Sequence, residues 1–143
     1  MGWTTSWYLE KRYAQDVWRF LPDATRLMLS YDNPDGLDSD DFHSFLHDLE
    51  YFCINHWTTS GFPSCASPEV TYEADKWVNH SLEEIATFPL FGWISVQAIL
   101  DADWSQAFVN PSKPCPKWWR LWQERLRSFG DPRQLRFVYI SIR

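Results

Sequence analysis

Cysteine is scarce in this chain. Cys53, Cys65 and Cys115 are the only three in 143 residues, and their odd number and unrepeated spacing argue against a disulfide framework and for a reducing compartment. Glycine is scarce too. Gly2, Gly36, Gly61, Gly92 and Gly130 stand isolated, so no glycine-rich loop exists to cradle a phosphate. No apolar run approaches the roughly 20 residues of a membrane-spanning helix. Met1 to Arg12 carries Glu10, Lys11 and Arg12 where a secretory leader would be apolar. The expected localisation is therefore cytoplasmic, with no membrane partner. The most informative shortage is of basic residues. From Leu27 to Ser112, Lys76 is the only base against fourteen acids.

The C-terminal part reverses this balance. Lys113 to Arg143 holds eight bases and two acids, Glu124 and Asp131. The two stretches carry net charges of −13 and +6 within a chain of net −6. One account is that they pack together and neutralise each other; the other is that the acidic stretch steers a basic partner. Aromatic residues are abundant, with ten Trp, ten Phe and six Tyr. Most belong in a core, but a single domain of 143 residues has little need of so many. The remainder are candidate binding anchors.

Pattern and turn chemistry predict an α+β domain spanning residues 1–143, with a small antiparallel sheet covered by helices. Trp3–Arg12 reads as a strand, followed through Ala14-Gln15-Asp16 by a second, Val17–Leu21, closed by Pro22. Asp23 is placed to cap a short helix carrying Leu27 and Met28. Asn33 to Gly36 is a turn by composition. Ser39 opens a helix to about His56, with Phe42, Phe45, Leu46, Leu49, Phe52 and Cys53 at helical spacing. Thr58–Pro68 is loop. Two short helices should follow, one near Glu69–Trp77 and one begun by the capping box Ser81-Leu82-Glu83-Glu84 and ended before Pro89. Ser95 can cap Val96–Leu100. Asn110–Pro116, with three prolines, must be loop. Lys117–Phe129 is a strong helix stopped by Gly130. Leu135–Ile142 is a strand with so few polar residues that it belongs in the middle of the sheet. The N-terminal hairpin and this C-terminal strand make up the expected sheet.

No catalytic motif, cofactor site or metal site closes. Placing Gly36 of the acidic run Asp32–Asp41 at the sixth position of a calcium loop puts Tyr31 first and Phe42 twelfth, where oxygen ligands are required. His43 and His47 share a helix face, and Cys53, His56, Cys65 and His80 follow. Their spacing matches no zinc finger, and His43-Ser-Phe-Leu-His47 lacks the glutamate of a metalloprotease helix. No signature marks Cys53, Cys65 or Cys115 as a nucleophile. Adjacent Glu83 and Glu84 splay apart on a helix and suit solvation.

Several fragments, in order, resemble a group of small uncharacterised phage and bacterial proteins that begin Met-Gly-Cys-Asp-Ile-His. They are Met1-Gly2 with Trp7-Tyr8-Leu9-Glu10-Lys11-Arg12, Val17-Trp18, Ser67-Pro68-Glu69-Val70, Trp93 to Leu100 with Asp103-Trp104, and Leu126 to Tyr139. The group's Cys-Asp-Ile-His is Trp3-Thr4-Thr5-Ser6 here, and its His-Ser pairs are Pro89-Leu90-Phe91-Gly92, so any polar site built on those groups is lost. The resemblance implies an accessory protein of phage or mobile-element type, and no activity.

The expected function is accordingly a phage-type accessory binding protein that inhibits a host protein, as an anti-defence or anti-CRISPR inhibitor. Its partner would carry a basic surface, as nucleic-acid-binding defence proteins do, because phosphate neutralisation dominates their affinity. The expected acidic face comprises Asp35, Asp38, Asp40, Asp41, Asp48 and Glu50, with Trp57 and Phe62 as apolar anchors. The alternative is a small enzyme or ligand-binding domain using His43, His47 or Cys53. Direct nucleic-acid binding through the basic C-terminal helix is disfavoured by the net charge of −6.

Overall fold

The computed structural model describes residues 4–29, 61–84, 89–101 and 119–142. They form an α+β fold around one antiparallel sheet of four strands in the order β2-β1-β4-β3. In chain order the elements are β1 (Thr4–Ala14), β2 (Val17–Phe20), α1 (Pro22–Leu29), α2 (Pro68–Glu84), β3 (Leu90–Ser95), α3 (Val96–Asp101), α4 (Trp119–Ser128), a 3-10 turn (Pro132–Gln134) and β4 (Leu135–Ile142). The expected helix Ser39–His56 and the loop Asn110–Pro116 lie outside the described residues.

The hairpin β1–β2 and the strand β4 follow the sequence pattern. Glu10 pairs with Phe20 and Arg12 with Trp18, and an extra residue at Tyr13 bulges β1 before the turn. The turn places Asp16 at φ 146°, a region that glycine alone occupies without strain. Asp16→Gly is therefore expected to raise stability by about 1 kcal/mol, read as a higher urea midpoint at unchanged slope. A lower midpoint would show that the Asp16 side chain stabilises the turn more than its backbone conformation costs.

β2 ends where Pro22 removes a ladder donor and starts α1. Asp23 lies in the first turn of α1 rather than at its cap. The β1 edge continues past β2 through other groups: Leu21 N–H donates to the Leu9 carbonyl at 2.9 Å and Leu9 N–H donates to Thr25 Oγ1 at 3.0 Å.

β4 is central, paired on one side with β1 (Leu9 with Phe137, Glu10 with Arg136) and on the other with β3 (Gly92 with Tyr139, Ile94 with Phe137). Each of its residues from Leu135 to Ser141 is buried. Strand alternation gives the sheet two faces. One carries Trp7, Leu9, Ile94, Phe137 and Tyr139, all buried. Its rings interlock, with Trp7 edge-on to Phe137 at 6.2 Å and tilted against Tyr139 at 5.2 Å. Val96 and Ile99 of α3 and Leu126 of α4 are buried as well. The other face carries Tyr8, Glu10, Trp18, Phe20, Phe91, Trp93, Arg136 and Val138.

Two further local expectations are corrected. β3 joins the sheet as a fourth strand, where the sequence reading has none. Glycine weakens a strand's propensity, but a Cβ at Gly92 would collide with the Tyr139 ring on β4, so glycine makes room for a large core side chain. The two short helices expected between Glu69 and Pro89 are one, α2, of 17 residues. Nothing between Glu69 and Glu84 breaks a helix, so Ser81 lies inside it, and Ser67 is at its start, its Oγ accepting from Val70 N–H at 3.4 Å. Ser95 caps α3 as expected, accepting from Ala98 N–H at 3.1 Å. Among the described residues no helix is long and apolar enough to cross a membrane.

Candidate functional site

The polar-aromatic sheet face holds the only salt bridge among the described residues that is shut away from water. Arg136 and Glu10 are cross-strand partners on β4 and β1. Arg136 Nε donates to Glu10 Oε1 at 2.7 Å, with side-chain exposures of 4% and 0%. Burying two charges is costly unless their remaining polar atoms find partners. They do. Glu10 Oε2 accepts from Ser67 N–H at 2.7 Å, and Arg136 Nη2 donates to the Ser64 carbonyl at 3.3 Å. The guanidinium lies 3.8 Å from the centre of the Trp18 ring and 5.8 Å from that of Trp93, a cation–π arrangement. Burial lowers the pKa of Arg136 from its ordinary value, and the hydrogen bond and charge of Glu10 work against that.

This cluster fastens the segment Gly61–Ser67, and with it the start of α2, onto the sheet. Cys65 within the segment is free and exposed, in a left-handed conformation at φ 56°. Both oxygens of Glu10, and the Nε and Nη2 of Arg136, are engaged by protein groups, so the pair builds the surface.

The surface that it builds is aromatic and acidic. Phe62, 38% exposed, packs edge-on to Phe91 at 5.5 Å, and Trp93 is 37% exposed. Beside them, the first two turns of α2 and the β1–β2 hairpin enclose an open hollow of about 480 Å³, lined by Tyr8, Phe20, Pro68, Glu69, Tyr72 and Glu73. Tyr8 and Phe20 meet edge-on at 5.8 Å. Burial raises the Tyr8 phenol above its ordinary value and the nearby Glu73 carboxylate adds to the rise, while a hydrogen bond with Ser6 lowers it. Tyr72, 68% exposed, also borders a second hollow of about 420 Å³ with Asp75, Lys76, Asn79 and His80.

Of the residues singled out by sequence, Phe62 is on this surface. Asp35, Asp38, Asp40, Asp41, Asp48, Glu50 and Trp57 lie outside the described residues, as do His43, His47 and Cys53. Among the described residues no three His, Cys, Asp or Glu side chains gather as a metal site would require. Sequence reasoning missed Glu10, Arg136 and the hollow. One signal was available: an arginine within a strand otherwise fit for a central position must find an anionic partner once buried. Neither the protein-family models, nor the curated proteins, nor the solved structures include a match to this chain.

Proposed function

We propose that the chain is a stoichiometric binding protein of phage accessory type, which acts in the host cytoplasm and inhibits a host protein through an acidic, aromatic-rich face. The partner is a basic, nucleic-acid-binding protein of host defence. The observation that carries this reading is the surface of α2. It displays Glu69, Glu73 and Asp75 with a single base, Lys76, and the most exposed large apolar side chains of the described residues, Tyr72 at 68% and Leu82 at 59%, stand on the same helix. Exposed rings amid one sign of charge suit an interface in which charge guides the encounter and aromatic anchors hold the complex. The fourteen acids between Leu27 and Ser112 extend the same sign of charge well beyond α2.

The test is capture of the partner from a bacterial host lysate, followed by titration of its activity. Inhibition should saturate at about one chain per partner, and affinity should fall as salt rises, since exposed charges are screened beyond about 8 Å at physiological ionic strength. Neutralising Asp35, Asp38, Asp41 and Asp48 together should mainly slow association. Phe62→Ala or Tyr72→Ala should speed dissociation, at about 2 kcal/mol for a true anchor. Affinity indifferent to salt and to the acid substitutions, or inhibition at far below equal amounts, would sink the proposal.

A further inference from the structure

We infer that the hollow between the β1–β2 hairpin and α2 is a seat for an arginine side chain of the protein partner. The inference rests on the binding reading above and gives it a specific contact.

Three aromatic side chains, Tyr8, Phe20 and Tyr72, line the hollow, and two carboxylates, Glu69 and Glu73, stand among them. Aromatic faces attract cations, and arginine more often than lysine, because its planar guanidinium stacks on a ring while its N–H groups reach carboxylates at the edge. Among the described residues no base lines this hollow. Two bases on the adjoining strands are engaged elsewhere: Arg136 is held by Glu10, and Arg12 Nε donates back to the Ala14 carbonyl at 3.3 Å. Glu69 forms no ion pair among the described residues. Glu73 has one, with Lys76 at 3.7 Å, an exposed helical pair of the kind that contributes little and is readily exchanged.

The same sheet face already shows the chemistry at work. The Arg136 guanidinium lies over the Trp18 ring, with the Glu10 carboxylate hydrogen-bonded to its Nε. The hollow repeats that combination, ring plus carboxylate, and among the described residues no guanidinium lines it. A volume of about 480 Å³ is within the range of sites that bury a small ligand, and it accommodates a side chain entering from a partner's surface. An aliphatic side chain would give the Glu69 carboxylate no counter-charge, and an acidic one would be repelled by Glu69 and Glu73.

The test uses the full chain and two short peptides, acetyl-Gly-Arg-Gly-amide and its counterpart with citrulline, which keeps the shape and loses the charge. Aromatic side-chain NMR signals of Tyr8, Phe20 and Tyr72 are followed during titration. The arginine peptide should shift all three saturably, and the citrulline peptide should bind about fivefold more weakly or less. Tyr72→Ala and Glu73→Gln change exposed or half-exposed positions of α2, and each should weaken arginine binding by a similar factor at unchanged unfolding temperature. Equal binding of the two peptides, shifts that never saturate, or variants that bind as well as the parent would overturn the assignment. The peptide assay needs no partner. A partner complex that keeps its salt dependence while the peptides fail would remove the hollow and leave the binding proposal standing; peptide binding beside a salt-indifferent complex would do the reverse.

Discussion

Arg136→Ala is expected to destabilise the fold by about 3–5 kcal/mol, a large share of what a domain of this size possesses. The physical reason is asymmetry. In the intact protein the guanidinium and the Glu10 carboxylate offset each other, and the pair as a whole contributes little over apolar residues of the same shape. Removing the arginine leaves Glu10, with a side chain wholly shielded from solvent, facing the space where its counter-charge was. It also strips the Ser64 carbonyl of its donor and the Trp18 ring of its cation. Urea unfolding with a two-state fit measures the loss.

Two further variants separate charge from geometry. Arg136→Lys keeps the charge but cannot both pair with Glu10 and reach Ser64 with a planar group, so it should recover part of the loss and not all of it. The double change Glu10→Leu with Arg136→Met removes both charges and should lie close to the parent or above it. Hydrogen exchange adds a local reading. The Ser67 amide, which donates to Glu10 at 2.7 Å, should exchange faster in the double variant even where global stability returns, because the apolar pair no longer fastens the segment that leads into α2. If Arg136→Ala costs less than about 1 kcal/mol, the level of a surface ion pair, the pair is hydrated and its role as a fastening is refuted.

The sequence made the hairpin and β4 legible because their signals are local. Val17 to Phe20 ends at a proline, the turn residues Gln15 and Asp16 are polar, and Leu135 to Ile142 is rich in β-branched and aromatic residues with Arg136 and Ser141 the only polar ones before the end. β3 was not legible because the reason for its glycine lies elsewhere in the chain: Gly92 is small so that Tyr139 can lie across it. The length of α2 was obscured by a capping box at Ser81 that the surrounding helix overrides. A four-residue pattern marks a helix start only where the chain before it is not already helical. The Glu10–Arg136 pair is further still from view. Its members are 126 residues apart, and no spacing rule connects them; only the sheet register does. The hollow has the same origin, since Tyr8 and Phe20 come from one hairpin and Glu69, Tyr72 and Glu73 from a helix some fifty residues on. The loop position of Phe62 was legible because Gly61 and Pro63 flank it, and the structure leaves it 38% exposed.

Phe137→Ala tests the opposite face of β4 and should cost about 3–5 kcal/mol. Phe137 is 2% exposed and has Leu9 and Ile94 beside it on the two neighbouring strands, at 0% and 6%. Trp7 stands edge-on to its ring at 6.2 Å. Truncation removes the transfer free energy of the ring and leaves a cavity that rigid neighbours on both sides cannot fill, which is the condition for a value in the upper part of that range. The backbone of a central strand has little freedom to close in, because it is fixed by ladders to β1 and β3. Phe137→Leu keeps most of the volume and should cost about 1–1.5 kcal/mol, so the difference between the two variants isolates the cavity. The loss should appear as a lower urea midpoint with the slope preserved. A shift below about 1 kcal/mol for the alanine variant would mean that β4 can collapse around the gap. That would be incompatible with a strand buried on both faces and paired on both edges, and with it the sheet that positions Glu10, Arg136 and the hollow would have to be redrawn.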